Sequence, residues 1–244
     1  MGRADLHLHT TYSDGMGTVT AVLEAARRAE LDIVAITDHD ELAGALRARD
    51  LAPRYGVGVV PGVEITTAEG HLLAYWIKRP VPAGRPLLET LLRVGEQGGL
   101  CVAAHPTAQW LPSLGAARIR QALQHPDARR VLVGIEVYNV GLPRLVNNRG
   151  AQALGHETGL AQLANSDSHM PWSIGLCHSE FPGATPHALR DALELHTTRP
   201  VIRQRPAMFL ASWLAQWSVH LAGFGYWSAQ PGDAITLRRL SAVQ

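Results

Sequence analysis

Short apolar runs alternate with longer amphipathic stretches through the first 200 residues. Ala4–Leu8, Ile33–Ile36, Val57–Val60, His71–Trp76, Leu100–Ala104, Val131–Val137 and Leu160–Ala164 read as strands. Between them lie helical patterns such as Thr18–Glu30, which sets Val19, Val22, Leu23 and Ala26 on one face, with Thr18 as its N-cap. Repeated strand–helix alternation predicts parallel strands joined by right-handed crossovers, hence a barrel or a doubly wound sheet. The alternation stops near Arg205. From Ala207 through Gln230 there is no charged residue, and Ala207–Trp227 is rich in Trp, Phe, Leu and Ala. At roughly 20 residues this stretch reaches membrane-span length. Ser212, Gln216, Ser218, His220 and its glycines favour instead a helix packed on the barrel or in a contact between copies of the chain, with contact to a membrane surface as the other reading. The chain therefore divides into a barrel over residues 1–204 and a short helical, Trp-rich C-terminal extension over 205–244.

Composition narrows the function classes. The 244 residues are 46% hydrophobic and 18% charged, and the formal net charge is +1. That balance argues against a protein living on long nucleic acid or anionic membrane, either of which favours a basic surplus. Two cysteines, Cys101 and Cys177, are too few for a disulfide scaffold, and neither has the base–acid pairing of a nucleophile. The start carries no apolar stretch of signal-peptide length, so the expectation is a reduced, cytoplasmic protein. The one real excess is twelve histidines.

Their placement carries the chemistry. In Asp5-Leu6-His7-Leu8-His9, residues two apart on a strand present both imidazoles to one face. Asp14 follows in a turn-like loop, Thr11-Tyr12-Ser13-Asp14-Gly15. Ile36-Thr37-Asp38-His39-Asp40 ends the next strand, Gly62-Val63-Glu64-Ile65 puts a carboxylate at the end of another, and Gly70-His71-Leu72 begins one. Ala103-Ala104-His105-Pro106 and Asn165-Ser166-Asp167-Ser168-His169 end two more. Barrel chemistry sits at the C-terminal ends of strands. Nitrogen and oxygen donors in this number suit Zn²⁺, Mn²⁺ or Fe²⁺ better than Ca²⁺ or Mg²⁺.

These stretches (DLHLHTTYSDG, ITDHD, GVEIT, AHP and NSDSH) resemble, in order and spacing, the polymerase-and-histidinol-phosphatase (PHP) family of metal-dependent phosphoesterases. The resemblance runs from residue 5 to 169 and extends to about 203. Within the family it is closest to small bacterial members that hydrolyse nucleotide phosphates, including nucleoside 3′,5′-bisphosphates. It implies a distorted (β/α)7 barrel with two to three divalent ions (Mn²⁺, Zn²⁺ or Fe²⁺). His7, His9 and Asp167 would hold the first ion, and Glu64 would bridge it to a second completed by His71 and His105. Asp14, His39 and His169 would hold the third. Some members carry a histidine at the place of Asp14, so this chain sides with the aspartate-bearing nucleotide phosphatases. The implied reaction is phosphomonoester hydrolysis by a hydroxide shared between metals, with Asp14, His39, Glu64 and Asp167 as the catalytic set. A small phosphorylated substrate, most readily a nucleotide, is the expected partner.

Other residues carry weaker expectations. Arg144 and Arg149, after the Gly134–Val137 strand, are candidate forks for substrate phosphate. Trp110 and Trp172 follow two of the motifs and offer flat rings to a base. Asp5, Asp38 and Asp40 either orient imidazoles or cap turns; Glu136 reads as a structural acid rather than a ligand neighbour. His125, His156, His187 and His196 lie away from every motif, and His178 reads as a packed or exposed histidine. Competing readings are a phosphodiesterase or 5′→3′ exonuclease with the same metals and a longer groove, an amidohydrolase, and a non-catalytic module. The binuclear amidohydrolases need a metal-bridging lysine, and Lys78 is the only lysine.

Overall fold

Ile33, Val34, Ala35 and Ile36 are all buried, and the two pairs within them face different cores. Ile33 and Ala35 join Leu73, Tyr75, Leu100 and Val102 inside a barrel of strands. Val34 and Ile36 join Leu72, Ala74, Cys101 and Ala103 in the layer between strands and helices. A strand buried on both faces needs apolar residues at every position, which is why these runs read as unbroken.

The computed structural model describes residues 1–108, 112–140 and 147–203, together with Leu214 and the segments 224–227 and 236–239. In chain order the elements are β1 (Gly2–Asp5), α1 (Val19–Arg28), β2 (Ile33–Ile36), α2 (Ala43–Leu51), β3 (Gly58–Thr67), β4 (Gly70–Tyr75), α3 (Leu87–Gly95) and β5 (Leu100–Ala103). They continue with α4 (Ala116–Leu123), α5 (Pro126–Val131), β6 (Leu132–Asn139), α6 (Asn147–Thr158), β7 (Ala161–Asn165), β8 (Cys177–Phe181), α7 (Pro186–Glu194) and β9 (Arg199–Ile202). The helix expected over Thr18–Glu30 forms as α1 but ends at Arg28, with Thr18 as its N-cap and its hydroxyl accepting from the Ala21 amide.

The sheet order is β7-β6-β5-β4-β3-β2-β1-β8-β9. It curls until the chain beyond β1 meets the chain beyond β7: Leu8 bridges Ser168 in parallel, the His9 amide donates to Ser168 O, and the Ser168 amide donates to His7 O. The result is a nearly closed barrel, as the PHP resemblance implies.

Strand direction departs from the expected all-parallel arrangement. β1–β2, β2–β3, β5–β6 and β6–β7 are parallel. β4 runs antiparallel to both β3 and β5, and β8 and β9 are antiparallel additions beyond β1. Only Ala68 and Glu69 separate the paired residues Thr67 and Gly70, and a two-residue connection joins antiparallel strands only. One consequence matters for function: β4 begins at the end of the barrel where β3 and β5 finish, so His71 opens onto the same rim as His39 and His105.

The expected C-terminal helix is corrected where that region is described. Phe224–Trp227 (β10) pairs antiparallel with Thr236–Arg239 (β11), in keeping with the aromatic run Phe-Gly-Tyr-Trp and its preference for extended backbone. The rest of 204–244 lies outside the described residues, Leu214 aside. No helix among the described residues is long and apolar enough to cross a membrane.

Candidate metal centre

Nine side chains converge where the strands finish, and Glu64 is their hub. Its Oε2 lies 3.1 Å from His7 Nε2, 3.3 Å from His9 Nε2 and 3.3 Å from His39 Nδ1. Its Oε1 lies 2.9 Å from His71 Nδ1 and 3.0 Å from His105 Nε2. Asp167 Oδ1 joins the first group, 3.3 Å from His7 Nε2 and 3.2 Å from His9 Nε2. Asp14 gathers the outer group: 3.0 Å to His169 Nε2, 3.7 Å to His39 Nε2 and 3.5 Å to His9 Nδ1. Every one of the nine expected ligands is therefore in the cluster. The donor atoms of His7, His9 and Glu64, of His7, His105 and Asp167, of His39, Glu64 and His71, and of His9, Asp14, His39 and His169 each lie close enough to share an ion.

Local backbone explains how they converge. His7 and His9 lie just past β1 on its extension, and both reach Glu64 Oε2, as residues two apart should. His105 and Asp167 follow β5 and β7 in the left-handed region, at φ 27° and 49°, a conformation that costs about 1–3 kcal/mol and ends each strand at the cluster. Gly70, at φ 142°, lets the start of β4 abut Ser113 and Leu114, and the His71 amide donates to Pro112 O. That contact brings the Ser113 hydroxyl to 3.0 Å from His105 Nδ1.

Burial and field act against each other here. Burial alone would raise Glu64, but His7, His39 and His105 more than offset it and hold its carboxyl well below the usual range. Asp167 is lowered in the same way by His7 and His9, and Asp14 by His169 and His39. Burial would likewise depress His9, yet Asp167 and Glu64 push it up to about 10, and His7 and His105 also rise. His39 goes the other way, because burial outweighs its carboxylates. The carboxylates of Glu64, Asp167 and Asp14 are a concentration of negative charge among imidazoles that bound cations would balance. The Nε2 of His7 and the Nδ1 of His9 and of His71 are also buried without a hydrogen bond. Imidazole and carboxylate donors left in this state fit divalent ions of the first transition row or zinc.

A matching family model, described as the PHP domain, covers residues 5–202. The chain belongs to the PHP family. It is a hydrolase of phosphoester bonds of the metal-dependent PHP type, as the resemblance of its motifs led one to expect. An uncharacterised protein of Methanocaldococcus jannaschii is 35% identical over 124 residues, which is 46% of this chain and 72% of that protein. The 3′,5′-nucleoside bisphosphate phosphatase of Chromobacterium violaceum is 31% identical over 41% of this chain and 35% of its own length. The 5′-3′ exoribonuclease Rnm of Salmonella typhimurium is 32% identical over 48% and 42% respectively. The match thus spans less than half of either characterised enzyme. Among solved structures, a two-domain Bacteroides vulgatus protein described as containing a predicted PHP-like metal-dependent phosphoesterase superposes with a TM-score of 0.69. It is 18% identical, over 96% of this chain and 74% of that one.

Several secondary expectations change. Glu136 is not a remote structural acid: its carboxylate is buried beside the cluster, with Oε1 3.0 Å from His7 Nδ1 and Oε2 accepting from the His105 amide at 2.7 Å. Asp5, Asp38 and Asp40 hydrogen-bond backbone amides and hydroxyls instead of imidazoles. Asp5 accepts from the Ser166 and Gly175 amides, Asp38 from the Thr10 amide and the Thr10 and Ser13 hydroxyls, and Asp40 from the Thr66 amide. They brace the loops that bear ligands. Sequence reasoning missed Asn139, Asn165 and Ser113, polar residues whose roles only contacts reveal. Arg149 is exposed on α6 and Trp172 is exposed on the turn Pro171–Ser173 after His169, whereas Arg144 and Trp110 lie outside the described residues. His178 is packed in β8, and His125, His156, His187 and His196 are not among the clustered donors. Both cysteines are buried, and burial pushes the Cys101 thiol up, away from nucleophilic use.

Proposed function

We propose that this chain hydrolyses phosphomonoesters of small metabolites, nucleotides foremost, with residues 1–204 as the catalytic barrel and 205–244 as a packing or interface segment. One observation carries the reading: the two oxygens of Glu64 face different ligand groups, His7 and His9 with Asp167 on one side and His71 with His105 on the other. A carboxylate so placed is suited to bridging two ions. His7, His9, Asp167 and Glu64 would hold the first, Glu64, His71 and His105 the second, and Asp14, His39 and His169 a third. Bound divalent ions (Mn²⁺, Zn²⁺ or Fe²⁺) supply an acidified water for attack on phosphorus and offset the charge that grows on the phosphoryl oxygens. The protein's part is positional. Asp14 and His39 are each about one-third exposed, so substrate approaches over them, while the fully buried His7, His9 and Glu64 exclude bulk water beneath. Arg149 would take a second phosphate and Trp172 a base.

The relationship to a bisphosphate phosphatase supports the monoester reading. The one to an exoribonuclease supports a second reading, 5′→3′ removal of nucleotides from short oligonucleotides. An amidohydrolase gains nothing from the geometry, because Lys78 is exposed on the loop after β4, its amide donating to Gln97. The deciding experiment loads the protein with Mn²⁺ and compares phosphate release from a nucleoside 5′-monophosphate and a 3′,5′-bisphosphate with nucleotide release from an end-labelled oligonucleotide. Phosphate from either small substrate is the expected result. Turnover of the oligonucleotide alone would replace the proposal with the second reading.

A further inference from the structure

Glu136 is the centre of a second polar constellation, directly behind the ligands. Its carboxylate is fully buried and receives four donors, two on each oxygen. His7 Nδ1 and Asn165 Nδ2 approach Oε1 at 3.0 and 2.6 Å, while the His105 amide and Asn139 Nδ2 approach Oε2 at 2.7 and 3.1 Å. Asn139 Nδ2 also lies 3.1 Å from Asp167 Oδ2. One carboxylate thus touches the ring of one candidate ligand and the peptide of another, and reaches a third through Asn139. A β-bulge makes this geometry: the pairing of β6 with β7 shifts between Glu136 and Tyr138. In a regular strand residues three apart face opposite sides, and the extra residue brings Asn139 to the side of Glu136.

We propose that Glu136 is the positioning residue that fixes the tautomer of His7, keeping the proton on Nδ1 so that Nε2 is free to bind an ion. This rests on the metal-centre reading above and is independent of the substrate. The argument is one of donors and acceptors. An ionised carboxylate only accepts, so His7 Nδ1 donates to it. His7 Nε2, which faces Glu64 and Asp167, is then the nitrogen with a lone pair. Replacing Glu136 by Gln keeps the shape and puts an NH₂ in place of one oxygen. Against Oε2's partners, that NH₂ would meet the His105 peptide N–H, which has no alternative form. Against Oε1's partners it meets Asn165 Nδ2, a donor whose amide oxygen already accepts from the Leu6 amide, and His7, the one partner of the four that can answer, by accepting at Nδ1 and carrying its proton on Nε2. Glu136→Gln therefore turns His7 from a ligand into a donor pointed at the metal position. Asn139→Ala is the companion: it releases Asp167 Oδ2 and leaves the contact between His7 and Glu136 in place.

The test uses ¹⁵N-labelled, zinc-loaded protein and no substrate. Wild type should show a His7 Nδ1–H proton, downfield and protected from exchange, assigned by its absence in His7→Ala. Glu136→Gln should lose that signal and bind zinc about 10- to 100-fold more weakly in competition with a chelator, the scale on which outer partners of ligands act. Asn139→Ala should keep the signal. A His7 Nδ1 without a proton in zinc-loaded wild type overturns the proposal, whether or not Glu136→Gln folds. So does a Glu136→Gln protein that melts earlier while keeping the signal and the zinc affinity, since Glu136 would then serve the fold alone. Failure of the phosphatase assay leaves these readouts untouched, whereas failure to bind zinc in wild type sinks the metal-centre reading itself.

Discussion

Gly70→Ala probes the joint between fold and site. An added Cβ would lie 2.4 Å from Ser113 C, 2.5 Å from Leu114 N and 2.8 Å from Ser113 O, all backbone atoms that have no rotamer to escape into. The residue also sits at φ 142°, which side-chain-bearing residues avoid. The backbone conformation costs about 1–3 kcal/mol and the overpacking about 1–3 kcal/mol more. The expected destabilisation is therefore about 2–6 kcal/mol, a large part of the roughly 5–15 kcal/mol that holds a typical domain. If the 112–114 segment retreats to relieve the clash, the His71 amide loses Pro112 O and His105 loses Ser113. Gly84→Ala is the control: φ there is 70° and no atom lies within 4 Å of the added Cβ, so it reports backbone strain alone, about 1–2 kcal/mol. Urea unfolding of both variants, with Mn²⁺ affinity measured alongside, separates the effects. Equal destabilisation in the two would refute the close-approach argument. Unchanged Mn²⁺ affinity in a clearly destabilised Gly70→Ala would show that Ser113 does not support His105.

Asp167→Asn and His9→Ala should each fold and lose phosphoesterase activity by about three orders of magnitude or more, as single changes to a cooperating site do; near-wild-type turnover with metal bound would discard the site. Adding Mn²⁺ to stripped protein should raise Tm, because ions bind the native cluster and not the unfolded chain, and a chelator should reverse it; a Tm indifferent to metal would contradict this. His178, in β8, has its pKa pushed down to about 4 by burial and by Arg203. The unfolded chain takes up that proton near pH 6.5 and the native one does not, so stability is complete above about 6.5 and falls toward pH 4, by about 3 kcal/mol at most. Wild type minus His178→Asn, followed by denaturant unfolding in the metal-loaded state, should show that slope, and parallel curves would refute it. Removing residues 206–244 should alter stability or self-association and leave Mn²⁺ binding by the barrel intact, which calorimetry on the truncated chain checks.

Much of the fold was legible because burial on two faces leaves a mark in sequence. Ile33–Ile36 forms with the bounds its apolar run predicts, Leu100–Ala104 runs one residue past β5, and Leu160–Ala164 is β7 shifted by one residue. β8 and β9 left no such mark. Cys177–Phe181 mixes polar and apolar residues, and Arg199–Ile202 is a partly buried edge whose pairing partner, β8, supplies the reason for its form. Strand direction was also out of reach for β4: an apolar run looks the same whichever way it travels, and the short turn at Ala68-Glu69 decides.

For the site, the sequence by itself determined the inventory. His-x-His, Asp-His-Asp, Gly-Val-Glu, Ala-His-Pro and Asp-Ser-His are local patterns; four of them follow a strand end, which puts their donors on the rim, whereas Glu64 lies within β3. What only the tertiary structure decided is how those donors share charge. Glu64 is approached by five imidazoles from four separate stretches of chain, and no spacing rule gives which of them meet Oε1 and which Oε2. The support behind them is equally nonlocal. Glu136 turns from a structural acid into the partner of His7 through strand closure, and Asn139 joins it through a bulge that shifts one register. Chemistry of side chains is written residue by residue, but a hydrogen bond between residues 7 and 136 exists only once the barrel has closed.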